Sequence, residues 1–130
     1  AEVVPLRSTV YYLRDGATAA DPPSLWRRAS GASGAEELVQ GVENMQIEYG
    51  EDIDSNNTIS VGEYRRADQV QKWDKVLAVR IGLLVRSLSA YGIDQGPTTY
   101  KVLGADVTVP QDRHLRQVFS STVTIRNSTT

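Results

Sequence analysis

The sequence predicts a mainly β protein: antiparallel sheet of about five to seven strands with one or two short helices. Three stretches carry this. Residues 75–87, KVLAVRIGLLVRS, read with period two, put Leu77, Val79, Ile81, Leu83 and Val85 on one side and Val76, Ala78, Arg80, Gly82, Leu84 and Arg86 on the other. Residues 42–50, VENMQIEYG, alternate Met45, Ile47 and Tyr49 with Asn44, Gln46 and Glu48. Residues 115–126, LRQVFSSTVTIR, set Leu115, Phe119, Val123 and Ile125 against Arg116, Ser120, Thr122, Thr124 and Arg126. The first of these is the expected central strand, with its five aliphatic side chains on the core and its mixed side partly wet. The other two are expected beside it.

In chain order, Thr9-Val10-Tyr11-Tyr12-Leu13 is a β-branched and aromatic run, and Pro5 keeps the residues before it at an edge or outside the ladder. Asp15-Gly16 and Asp21-Pro22-Pro23 mark a turn and a loop, and residues 24–30, SLWRRAS, return as a second strand. Trp26 is expected on the sheet, with Arg27 and Arg28 at the surface. Gly31-Ala32-Ser33-Gly34 is a break, and residues 35–41, AEELVQG, read either as one helical turn or as the lead-in to a strand. Residues 66–74, RADQVQKWD, carry helix formers with Val70 and Trp73 three apart, which predicts a short helix feeding the central strand. Residues 88–98 read as a surface loop, residues 100–109 as a small hairpin or arm around Gly104-Ala105-Asp106, and 127–130 as a frayed tail. A sheet of this size needs a cover on its apolar side. The sequence has no long amphipathic helix, so a helical cover would come from outside these residues.

Composition narrows the function. The chain has 130 residues, 40% hydrophobic and 23% charged, in the range of one ordinary globular domain. A net charge of −2 steers nothing toward nucleic acid. The absence of cysteine excludes disulfides and thiolate metal sites. No apolar run reaches the about 18 residues of a membrane span. The chain starts with Ala1-Glu2 and not Met, as a processed or trimmed product would.

The sharpest motif is DIDSNNTISVGE, Asp52 to Glu63. Counted from Asp52, oxygen-bearing residues fall at every ligand position of a twelve-residue calcium loop: Asp52, Asp54, Asn56, Thr58 through its carbonyl, Ser60 and Glu63. Ca²⁺ takes about six to eight hard oxygens, and a tight loop turns alternate side chains inward while its last Glu binds through both oxygens. The departure is Asn57, where Gly is usual; Asn tolerates the left-handed backbone better than other side chains do. The competing reading is a plain solvated turn between strands. Without flanking helices, a helix–loop–helix hand is not expected.

No catalytic set stands out. His114 is the only histidine and reads as a strand-start residue rather than a general base. There is no phosphate-cradling glycine loop, GxSxG or HExxH. Glu36-Glu37 and Glu51-Asp52 read as solvated charges. Arg80, Arg86, Arg116 and Arg126 are expected to lay their stems on the sheet and pair with Glu43, Glu48 or Asp112. Tyr11, Tyr12 and Trp26 read as packing rather than a binding patch.

Taken in order, LVQGVENMQIEYGED, the DxDxN loop, ADQVQKWDKVLAVRIGLLVRS and DRHLRQVFSSTVTIRN resemble the C-terminal part of PilW-type minor pilins of the type IV pilus assembly machinery. More loosely they are similar to J-type minor pseudopilins of type II secretion. YYLRD followed by SLWRRAS fits as the preceding strand pair, so the resemblance spans roughly residues 8 to 127. It implies a short processed leader and a long apolar N-terminal helix that anchors in the inner membrane, packs later in the pilus core, and would cover one side of the sheet. On this resemblance the 130 residues are expected to be the headgroup alone, mainly β here and α+β with that helix. The resemblance also implies a non-enzymatic protein, exported through the inner membrane and periplasm to the pilus. Its partners would be other minor pilins and the major pilin, in a complex that primes polymerisation at the tip, where adhesin-like partners dock. PilW-type loops at this position often carry calcium-like aspartates, and Asp52, Asp54 and Asn56 keep that character. The alternatives are a type II secretion pseudopilin and a free-standing calcium-dependent adhesion module. Residues 88–110 are the expected contact surface.

Overall fold

The computed structural model describes residues 8–18, 21–90, 98–110 and 112–125. Expectations for Pro5, for most of the loop before Thr98, for Gln111, for Arg126 and for the tail lie outside the described residues.

Nine strands form three antiparallel sheets among the described residues: β1 (Thr9–Arg14), β2 (Ser24–Ala29), β3 (Glu36–Gln40), β4 (Val42–Glu51), β5 (Tyr64–Arg65), β6 (Val76–Arg86), β7 (Thr98–Val102), β8 (Ala105–Val109) and β9 (Arg116–Thr124). The largest sheet runs β5-β4-β6-β9, so β6 is central and flanked by the two partners its sequence pattern called for. Met45, Leu83 and Phe119 stand side by side across it, as do Tyr49, Val79 and Val123. β1-β2-β3 form a second sheet. Residues 35–41 resolve as strand rather than helical turn, and Gly41, in the left-handed region at φ +91°, swings β3 directly into β4.

The third sheet, the β7–β8 hairpin, decides which side of the main sheet is dry. Its two-residue turn, Leu103-Gly104, has positive φ at both positions (48° and 81°), matching the twist of the strands it joins. The hairpin lies on the mixed side of β6 rather than projecting as an arm. Leu84 and Val102 are fully buried there and Val109 nearly so, ringed by Tyr100, Val107 and Val118. Burying a Leu or Val completely stabilises by about 1.5–3 kcal/mol, enough to seat a short hairpin.

Two expectations are corrected here. The aliphatic side of β6 is half-buried, not hidden, while Ala78, Gly82 and Leu84 of the mixed side are buried. The reason is Gly82: a Cβ there would lie 2.8 Å from Leu103 Cγ and 3.0 Å from Val102 Cγ1, so its lack of a side chain admits the hairpin to the side that carries arginines. The helix expected over 66–74 is replaced by two 3₁₀ turns, Ala67–Gln69 and Trp73–Lys75. The Gln71 and Lys72 N–H groups, which an α-helix would bond internally, donate instead to the Glu51 carboxylate at 3.1 and 2.8 Å.

Candidate functional site

The acidic loop leaves β4 at Glu51 and is fixed at both ends. The Asp52 N–H donates to the Lys75 carbonyl at 2.9 Å, extending the ladder one residue past the strand. Ile59 seats on β4 at Gly50, where a Cβ would meet Ile59 Cγ2 at 2.7 Å. Between these anchors the backbone coils tightly. The Asp52 carboxylate accepts the Asn56 and Asn57 N–H groups at 3.2 and 2.9 Å, and the Asn56 side-chain oxygen accepts the Thr58 N–H and hydroxyl at 3.0 and 2.9 Å. Asn57 adopts φ 64°, the left-handed conformation that the position requires, as does Ser55 at φ 58°. Glu63 closes the loop: one carboxylate oxygen takes the Ser60 N–H at 2.9 Å and hydroxyl at 3.1 Å, the other the Ile53 N–H at 2.9 Å.

This coil brings three of the six predicted ligands together. Carboxylate oxygens of Asp52, Asp54 and Glu63 lie within 4.8 Å of one another, with Asp52 and Glu63 buried and Asp54 exposed. The all-oxygen donor set suits a hard divalent cation such as Ca²⁺. The side chains of Asn56 and Ser60 are engaged within the loop, Asn56 also donating to Asp54 at 3.2 Å. Backbone donors keep the buried carboxylates ionised. The Ser60 N–H is the largest influence holding Glu63 below its ordinary range, against burial. Burial pushes Asp52 upward, but the Asn57 N–H, the Asp54 side chain, the Asn56 N–H and the Lys75 charge together outweigh it and leave the group net lowered.

Two residues of this region give no signal in the sequence. Glu51, read as solvated, is 4% exposed, and its carboxylate is held ionised chiefly by the Gln71 N–H, with Arg65 3.7 Å away. Lys75 reaches across the loop, donating from Nζ to the Ser55 hydroxyl at 2.8 Å. Neither is predictable from spacing, because their partners lie about 20 positions away.

The second candidate surface is the aliphatic side of the main sheet. Val79, Ile81 and Leu83 form its middle row, flanked by Met45, Ile47 and Tyr49 on β4 and by Phe119 and Val123 on β9. Phe119 and Val123 are 49% and 52% exposed. Trp73 stands edge-on to Tyr49 at 4.9 Å at one end and is itself exposed. The residues of this face on β4 and β6 are half-buried, and none of them is fully buried.

Of the arginines expected to pair with Glu43, Glu48 or Asp112, Arg80 and Arg116 do so, whereas Arg86 Nε is buried with no hydrogen-bond partner among the described residues. Arg80 stacks on the Tyr64 ring at 3.7 Å with Glu48 beside it at 3.8 Å. Arg116, 4% exposed, bonds Glu43 at 2.6 Å and Asp112 at 2.7 Å, tying β9 to β4. Arg14 lies over Trp26 at 5.0 Å, and Arg27 pairs with Glu36. His114 Nδ1 lies 2.8 Å from the Ser87 carbonyl, an acceptor only, so Nδ1 carries the proton of that bond and holds the start of β9.

No curated protein and no solved structure matches this chain. One family model does, that of type IV pilus-assembly protein W, PilW, over residues 10–127, from the first strand past the last. With nearly the whole chain matched, this protein belongs to the PilW family, whose members take part in type IV pilus assembly.

Proposed function

We propose that this chain is the headgroup of a minor pilin, which joins other minor pilins and the major pilin in a tip complex that primes pilus polymerisation. The observation that carries the reading is the half-exposed aliphatic face, Val79-Ile81-Leu83 with Phe119 and Val123, on a chain of a pilus-assembly family. Contiguous apolar surface of this kind marks an interaction site. In this reading its cover is the apolar N-terminal helix of the full-length protein. The work done is assembly, not chemistry: the sheet presents a shaped surface, and helix and neighbouring subunits supply the hydrophobic association. Adhesin-like partners dock on the finished tip. Co-expression of the full-length protein with the other minor pilins is expected to yield a stoichiometric complex, and deletion of its gene to reduce piliation. No complex with any minor pilin, or loss of type II secretion with pili intact, contradicts the proposal.

A second reading concerns the loop. We propose that Asp52, Asp54, Asn56, the Thr58 carbonyl, Ser60 and Glu63 hold Ca²⁺, which would rigidify the segment between β4 and β5. Three converged carboxylates and the left-handed Asn57 favour this over a plain turn. A ligand bound only by the folded state stabilises by about 2.7 kcal/mol at a hundredfold excess over Kd. The melting temperature is therefore expected to rise with millimolar Ca²⁺ and fall back with chelator, and Asp54→Ala is expected to abolish the response. An unchanged melting point removes the metal.

A further inference from the structure

Sheets that end in water protect their edges, because an unpaired row of N–H and C=O groups templates another chain. Three of the edges among the described residues are guarded. β5 is two residues long, β3 carries Glu36 and Glu37, and β1 ends on Arg14. β9 is not. It is nine residues long, and from Val118 to Thr124 it contains no charge, no proline and no glycine. Residues 119–124 are all exposed.

The direction of its free backbone groups follows from the register. The Ile125 N–H donates to the Leu77 carbonyl and the Ser87 N–H to the Leu115 carbonyl, each at 2.8 Å, so odd-numbered residues of β9 turn their backbone groups toward β6. The backbone groups of Val118, Ser120, Thr122 and Thr124 therefore point away, and no described strand pairs with them.

We infer that this edge docks a second copy of the same chain, β9 against β9, antiparallel about Ser121. The strand is complementary to itself in that register. Ser120 opposes Thr122 and Val118 opposes Thr124, each pair exchanging two backbone hydrogen bonds across the two-fold axis. On one side Phe119 meets Val123, twice, which continues the aliphatic face of each sheet into the other. On the other side the hydroxyls of Ser120 and Thr122 meet, with Val118 against Thr124 beyond them. No like charges oppose one another between positions 118 and 124. A shift of one residue would set outward-facing backbone groups against inward-facing ones and lose the ladder. The inference stands on the register alone and does not rest on the pilus reading.

Ser121 meets its own copy as a non-hydrogen-bonded pair, for which the Cα separation is about 4.5 Å, inside the range of about 4.4–6.8 Å that a disulfide bridges. The chain has no cysteine, so any disulfide of a single-cysteine variant joins two molecules. Ser121→Cys is expected to form a covalent dimer under mild oxidation. Ser120→Cys, offset from its own copy by two residues at about 3.4 Å each, is expected to give at least tenfold less. The wild-type chain is expected to show a concentration-dependent dimer by sedimentation, and Thr122→Pro, which removes one outward N–H at an edge position, to be monomeric. A wild-type chain that stays monomeric at millimolar concentration, or equal cross-linking of the two cysteine variants, overturns the inference. So does a folded Thr122→Pro variant that still dimerises. Should that variant not fold, the cysteine pair decides.

Discussion

Arg116 shows how one side chain holds a long strand in place. Its guanidinium, almost wholly buried, bonds Glu43 from β4 and both oxygens of Asp112. The same hydrogen bonds pull the Asp112 carboxyl down from 3.8 to about 2, burial opposing them, and raise the Arg116 pKa. A carboxyl whose folded pKa is depressed contributes stability that is complete above its unfolded pKa and is lost as pH falls through the folded one. For Asp112 that window runs from about pH 4 down to about 2, and the lowered Glu51, Asp52 and Glu63 lose their contributions on the same side of neutrality. Thermal melts are expected to be level from neutral pH to about 5 and to fall steeply below 4. Asp112→Asn should melt lower at pH 7 and fall less between 4 and 2. A melting point that climbs on acidification to pH 3 contradicts this. Arg116→Met leaves two carboxylates without their cation and is expected to cost about 3 kcal/mol in urea unfolding, the low end for a broken buried pair. Glu43 and Asp112 keep 16% and 23% of their side-chain surface in water, which is why the low end applies.

At the scale of elements, the strands were legible because period two is a local signal. β4, β6 and β9 are 10, 11 and 9 residues long and carry apolar side chains at alternate positions, and the register pairs these apolar rows as the pattern requires. The acidic loop was legible for the same reason, since its spacing is self-contained and Asn57 supplies the left-handed turn. What was not legible depends on distant partners. The run 66–74 has helix formers but gives up its α-helix because Glu51 captures two N–H groups from about 20 residues away. The dry side of β6 is set by a hairpin that follows it, and the decisive residue, Gly82, carries no side chain to advertise its role. That role is testable. Gly82→Ala puts a methyl into the packed Leu103 and Val102 side chains and is expected to destabilise by about 1–3 kcal/mol. Gly34→Ala, with nothing within 4 Å of the added carbon, should be neutral or slightly stabilising in the same urea titration. Equal stability of the two variants would mean that the hairpin does not depend on close approach to β6.

Over the whole molecule, one sheet has two unlike sides. The side that carries Arg80 and Arg86 is partly closed by the chain's own hairpin and contains the buried cluster of Leu84, Val102 and Val109, while the hydroxyls of Ser120, Thr122 and Thr124 on β9 stay exposed. The side with the regular aliphatic rows is half-exposed, which inverts the simplest reading of the sequence and fits a protein of the PilW family, whose members take part in type IV pilus assembly. The charge clamp, the acidic loop and the hairpin all lie toward the partly closed side, leaving the open side available. Because the chain has no cysteine, a single Ile81→Cys substitution places one thiol at the centre of the open side. The direct test compares its maleimide labelling in the isolated chain and in the full-length protein assembled with its pilus partners, with Thr108→Cys on the outer side of the hairpin as the reference. The account predicts labelling at both positions in the isolated chain and protection of position 81 alone in the assembly; equal labelling of position 81 in both states would contradict it.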